Sequence, residues 1–263
     1  LITSSAASDV YKRQIWNIKS KNLTSDWVEG RIPMPSDEDM LKVACGISTI
    51  GYSHQAKFIY PKSGGIQRLT SYFLRKCNDI KLNEKVLKIK KVKTKWNVQT
   101  SKNSYQFDKI ISTIPIHDLL KCIDNVPEKI ASSAKKLKFN SLINVALGFK
   151  LSKRHTHTAV YIPNPEYLPH RISFPRNFSI DNVPKGRELV NLEITTNFND
   201  KIYNKDKDSL RKLSIELLKN LGYIRNQKIE YFNIFKTKHA YVVRDKHYKE
   251  ALKTSLDLSL IHI

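Results

Sequence analysis

A chain of 263 residues with 40% hydrophobic and 10% aromatic content is long enough to bury one large core or two modest ones. It has no apolar run near the roughly 18 residues a membrane-spanning helix needs, and its three scattered cysteines, Cys45, Cys77 and Cys122, imply neither a disulfide framework nor a metal site and fit a reducing, cytoplasmic setting. A formal charge of +22 raises the idea of a nucleic-acid partner, but 35 lysines stand against 11 arginines and lie along the chain without gathering around aromatics, which disfavours it.

The first 14 residues, Leu1 to Gln14, have no apolar periodicity, and Ser4 to Gln14 resembles the translation of a sequencing adapter. Leu258 to Ile263 resembles the same adapter read at the other end. Segments 1–14 and 258–263 are therefore expected to be artefactual tails that pack against nothing, on an internal fragment of a longer protein. Trp16 to Trp27 and Ser36 to Cys45 read as helical within a substrate-side segment, 15–57. Pro35-Ser36-Asp37-Glu38-Asp39 supplies a cap and an acidic first turn, and Met40, Leu41, Val43 and Ala44 an apolar face.

Phe58-Ile-Tyr-Pro-Lys-Ser-Gly-Gly-Ile-Gln-Arg-Leu69 stops at Pro61, turns through Gly64-Gly65 and opens a helical pattern to Cys77, with Ile66, Leu69, Tyr72, Phe73 and Leu74 inward. Paired glycines before a helix allow close backbone approach and leave N–H groups free for a phosphate or flavin edge. Strands follow at 80–92, with a phase slip at Lys90-Lys91 that marks a bulge or turn, then 96–100 and 105–112, the last running toward Pro115. Helices follow at 117–123 and 128–137. From Ser141 the pattern turns strand-rich, with strands at 142–149, 159–162, 171–174 and 189–195. A helix from Asp206 to Leu221 puts Leu210, Leu213, Leu217 and Leu218 on one face and stops at Gly222, before one or two strands over 228–243. The pattern divides the chain into 58–138 and a mainly antiparallel unit over 139–257, an α/β (α+β) architecture.

The turn at Tyr60-Pro-Lys-Ser-Gly-Gly-Ile66, the strand Asn83-Glu-Lys-Val-Leu-Lys-Ile89 and the segment Asp108-Lys-Ile-Ile-Ser-Thr-Ile-Pro115 together resemble the FAD-dependent amine oxidase superfamily, with its protoporphyrinogen oxidase-like members and, more distantly, UDP-galactopyranose mutase. The resemblance implies part of a Rossmann-like FAD domain over 58–138 and a substrate domain over 139–257. It implies cofactor contacts at Gly64, Gly65, Val86, Thr113 and Pro115. In the second half, His170-Arg-Ile-Ser-Phe-Pro-Arg-Asn-Phe-Ser179 and Tyr241-Val-Val-Arg-Asp245 resemble segments of the same relatives. Arg171 on a strand is suited to a substrate carboxylate or phosphate. Asn144, polar in an apolar strand, and Tyr241 complete the substrate-side candidates.

No G-x-G-x-x-G occurs among the 8 glycines. The resemblance explains this if the fingerprint lies upstream, and it implies that the piece alone is inactive. No catalytic triad, P-loop or metal-ligand spacing stands out, and His155-Thr-His157 lacks a third ligand nearby. The implied activity is hydride transfer from a small-molecule substrate to FAD. The alternatives are a mutase-like flavin sugar enzyme, or a basic nucleic-acid- or partner-binding protein without cofactor.

Overall fold

The computed structural model describes residues 16–24, 36–47, 59–152 and 154–259. The expected tail 1–14 lies outside them. Residues 16–24 hold a three-residue 3-10 turn, Ser20–Asn22, in place of the expected helix, and Leu23 bridges to Asp245 while Thr24 binds the Arg244 carbonyl. Helix α1 (Asp37–Ala44) begins where its cap predicts, with Ser36 Oγ accepting from the Asp39 amide at 3.1 Å. Its apolar residues Met40, Leu41 and Val43 nevertheless remain exposed.

Helix α2 (Gln67–Leu74) is shorter than its sequence pattern, and it buries no residue. The expectation that Ile66, Leu69, Tyr72, Phe73 and Leu74 face inward is corrected: all five are exposed, because nothing among the described residues packs over them. Strands β1 (Val86–Val92), β2 (Lys95–Thr100) and β3 (Ser104–Phe107) then form a three-stranded antiparallel meander. The irregularity falls between Val86 and Lys88; Lys90 and Lys91 pair regularly with Asn97 and Trp96, so the bulge or turn expected there is absent. The third strand stops at Phe107, and residues 109–113 run on without strand pairing.

Two short helices, α3 (Ile116–Cys122) and α4 (Glu128–Lys136), each start directly after a proline whose fixed backbone suits a helix start. They lead into a five-stranded antiparallel sheet in the order β5-β6-β7-β4-β8. Its strands are β4 (Lys138–Lys150), β5 (Ala159–Tyr161), β6 (Arg171–Ser173), β7 (Arg187–Thr196) and β8 (Ile229–Val243). Period-two alternation separates its faces. Ile143, Val145, Leu147, Phe149, Ile172 and Leu192 point one way into the main core, where Leu210, Leu217 and Leu218 of helix α5 (Lys207–Asn220) cover them.

Asp206 caps α5 by accepting from the Ser209 amide, and Gly222 at φ +74° ends it with the Gly222 and Tyr223 amides donating to Lys219 and Leu218. Ser214, not the expected Leu213, completes its buried face. Between Asn140 and Leu142 the pairing of β4 with β8 slips by two residues: Asn140 faces Tyr241 while Leu142 faces Thr237, and Ser141 Oγ donates to the Lys238 carbonyl at 2.8 Å. Helix α6 (Tyr248–Ser259) packs against α4 and reaches Ser259, so the tail expected from 258 starts inside a helix.

Candidate functional site

The face of the five-stranded sheet opposite α5 carries the polar half of the alternation. The register lines Tyr161, Arg171, Glu193, Asn144 and Phe235 up in one row across all five strands. Arg171 donates through Nε to Glu193 Oε1 at 2.9 Å, and its second guanidinium nitrogen makes a shorter contact with the same oxygen. The guanidinium lies 6.0 Å from the Tyr161 ring centre. Burial pulls Arg171 toward deprotonation, but the Glu193 carboxylate outweighs it and holds the pKa above its ordinary value.

Tyr241, displaced along β8 by the two-residue slip, comes within 3.5 Å of Glu193 Oε2 through its hydroxyl. Burial first, and the neighbouring Glu193 charge second, raise its pKa. Trp16, itself buried, packs edge-on against the Tyr241 ring at 5.9 Å. Asn144 sits directly opposite Glu193, with a buried Oδ1 that has no hydrogen-bond partner. Arg171, Asn144 and Tyr241 are thus gathered on one face, around a glutamate that sequence reasoning missed. Its trace in the sequence is Asn191, Glu193 and Thr195 alternating with Val190, Leu192 and Ile194.

Thr113 and Pro115, from the stretch after the meander, line a cavity of about 300 Å³ together with His117, Phe139, His239, Tyr241 and Tyr248. His239 lies under Phe139 at 4.1 Å between ring centres and has Asp118 Oδ2 3.6 Å from its Nδ1. Burial lowers its pKa against the pull of Asp118. A second, more apolar cavity of about 580 Å³ opens beside Ile110, Ile111, Ser112 and Ile114, with Leu256 on its wall.

The Gly64-Gly65 turn holds both residues in left-handed backbone, at φ +77° and +59°. It is tied to the segment that follows β6: Ser179 Oγ donates to the Lys62 carbonyl, Asn182 Nδ2 donates to Tyr60 Oη at 3.3 Å, and the Tyr60 and Phe178 rings meet at 5.6 Å. A Cβ on Gly65 would come 3.4 Å from Asn182 Oδ1. Val86 stands apart from the Thr113–Tyr241 cavity, at the start of β1, where its carbonyl faces Cys122 Sγ at 3.6 Å. The histidines of the 155–157 segment serve the backbone: Asn177 Nδ2 donates to both of their carbonyls, and the His155 ring packs on Phe174 and Tyr223. Among the described residues no group of three His, Cys, Asp or Glu is placed to hold a metal, and no helix is long and apolar enough to cross a membrane.

A similar fold is found in several solved structures. Reduced UDP-galactopyranose mutase is similar with a TM-score of 0.82 at 17% identity, over 97% of this chain and 57% of its own. A putative protoporphyrinogen oxidase from Exiguobacterium sp. 255-15 gives 0.62 at 13% identity, over 75% and 44%. Putrescine oxidase bound to putrescine gives 0.53 at 13% identity, over 72% and 44%. The chain spans little more than half the length of these proteins at most. No curated protein matches it. Residues 24–247 match the model of the flavin containing amine oxidoreductases, so the two antiparallel sheets, the left-handed glycine turn and the polar sheet face belong to a member of that family, whose cofactor is FAD.

Proposed function

We propose that the chain forms the substrate-facing half of an FAD-dependent oxidoreductase that works on a small molecule in the cytoplasm. The observation that carries this reading is the meeting of Thr113 and Pro115 with Tyr241 in one cavity, across 126 residues of sequence. The residues present fit a flavin edge: an unpaired stretch with threonine and proline at Thr113 and Pro115, apolar walls at Ile111 and Ile114, and, outside these two cavities, a glycine turn without side chains. Bound there, FAD supplies the hydride acceptor.

The protein's own contribution is orientation. Arg171 offers a fixed cation to a substrate carboxylate or phosphate, while Tyr241 and Asn144 set the polar floor beside it. The exposed apolar surface of α2, with Ile111 and Leu82, is the face we assign to the nucleotide-binding part of the longer polypeptide. Thr113, Pro115, Gly64 and Gly65 would contact the cofactor; Val86 would do so through its backbone at the strand start.

The test uses the full-length polypeptide. Gly65→Val should abolish the flavin absorbance of the purified protein, and Arg171→Ala should retain it while substrate use falls. Unchanged substrate use in the arginine variant would remove the site. A mutase-like sugar reaction is the second reading, supported by an arginine suited to a phosphate on the substrate face; turnover that requires prior reduction of the flavin and leaves no oxidised product would select it. The basic composition remains that of a scattered lysine surface, which supports no nucleic-acid role.

A further inference from the structure

Glu193 is a carboxylate in the middle of a sheet, on a strand flanked by neighbours on both sides, and it is only 5% exposed. Burying a charge there is costly unless it is paired and hydrogen-bonded. Both of its oxygens are engaged, and their partners are two residues of the proposed substrate site: Oε1 with Arg171 from β6, Oε2 with Tyr241 from β8. The directly opposed Asn144 offers Oδ1 as a buried acceptor without a donor, and a carboxylate cannot supply one. The geometry of Glu193 therefore serves Arg171 and Tyr241.

We propose that Glu193 is a positioning residue that locks Arg171 and Tyr241 into one preset pair on the sheet face, a role that rests on the reading of that face as the substrate site. The guanidinium is held by Glu193 and lies beside the Tyr161 ring. A free arginine loses much of its rotamer freedom when a ligand immobilises it; Glu193 removes most of that loss before any substrate arrives. The buried ion pair also lowers the net charge the face presents, so a substrate anion is selected by shape and hydrogen bonds more than by bulk attraction.

The test needs no substrate. In the 263-residue chain with labelled tyrosine and arginine, NMR follows the Arg171 Nε–H and the Tyr241 ring, the latter identified by its absence from Tyr241→Phe. In the native chain the Arg171 Nε–H should be protected from exchange. In Glu193→Gln that protection should be lost, and Tyr241 should ionise at lower pH because the neighbouring negative charge is gone. Should Glu193→Gln fail to fold, Arg171→Met with and without Glu193→Gln gives the same comparison of Tyr241 in a background without an orphaned cation. A Tyr241 titration unmoved by removal of the Glu193 charge, or an Arg171 Nε–H that exchanges freely in the native chain, would overturn the proposal. The site reading fails separately, through unchanged substrate use in Arg171→Ala.

Discussion

Two helices of this chain carry an apolar side, and they meet opposite fates. In α5, Leu210 and Leu218 are fully buried against the five-stranded sheet; in α2, Leu69 is 51% exposed and Phe73 64%. Both patterns read as amphipathic. The difference is the surface each helix meets. Beneath α5 lie the side chains of β4, β6 and β7, supplied by the same 120 or so residues. Beneath α2 the described residues supply little, since the meander turns its own apolar residues elsewhere. Periodicity therefore identifies the face a helix wants to bury, and tells nothing about whether the same stretch of chain brings the cover.

The largest expected effect lies on the packed side of this comparison. Leu192→Ala, in the centre of the sheet with no exposed surface, should cost about 2–5 kcal/mol in urea unfolding. A cost like that of a surface site would dissolve the contrast. His170 comes next. Burial, with the neighbouring Arg171 second, lowers its pKa from 6.5 to about 4. Its neutral form is what the fold keeps, so the associated stability is present above pH 6.5 and lost as the pH falls toward about 4, on the order of 3 kcal/mol in all. Unfolding followed across that window should show the slope in the native chain and a flatter profile in His170→Gln.

Glu188 runs the other way. Burial raises its pKa above the usual 4.5, so its contribution is largest below that pH and declines as the pH rises through the folded value. Glu188→Gln should therefore be more stable than the native chain at neutral pH, with the advantage gone in acid; an unchanged midpoint at neutral pH would show that the carboxyl is adequately solvated. On the exposed side, Leu69→Ala should shift the stability of this chain by no more than about 0.5 kcal/mol. In a polypeptide that adds the nucleotide-binding part proposed above, the same substitution should cost several times as much if that part covers α2. Equal costs in both settings would leave that face without a partner.

Much of the sheet unit was legible because its signals are local. Asp206 and Gly222 bracket α5, and the alternation at 189–195 marks which residues face the core. The first sheet was less so. The segment through Ile110 and Ile111 reads as a strand, yet it has no pairing partner among the described residues, and strand character depends on one. Of the site, Arg171, Asn144 and Tyr241 were each visible as polar or aromatic residues at odd places in apolar strands. Glu193 was as visible in kind. What no local pattern could give was the register, which places Glu193 beside Arg171 and opposite Asn144.

The two-residue slip opposite Ser141 has a consequence for how such a site can vary. Side chains on a strand alternate faces with every residue, so an odd insertion in β8 before Tyr241 would turn the ring away from the polar face of the sheet. An even one keeps the ring on that face and slides it along the strand by about 7 Å. The slip is of the even kind. The stretch Lys238–Ala240 thus works as an adjustable spacer, by which a tyrosine on an otherwise fixed sheet can be set nearer to or farther from the arginine without altering the core on the other side.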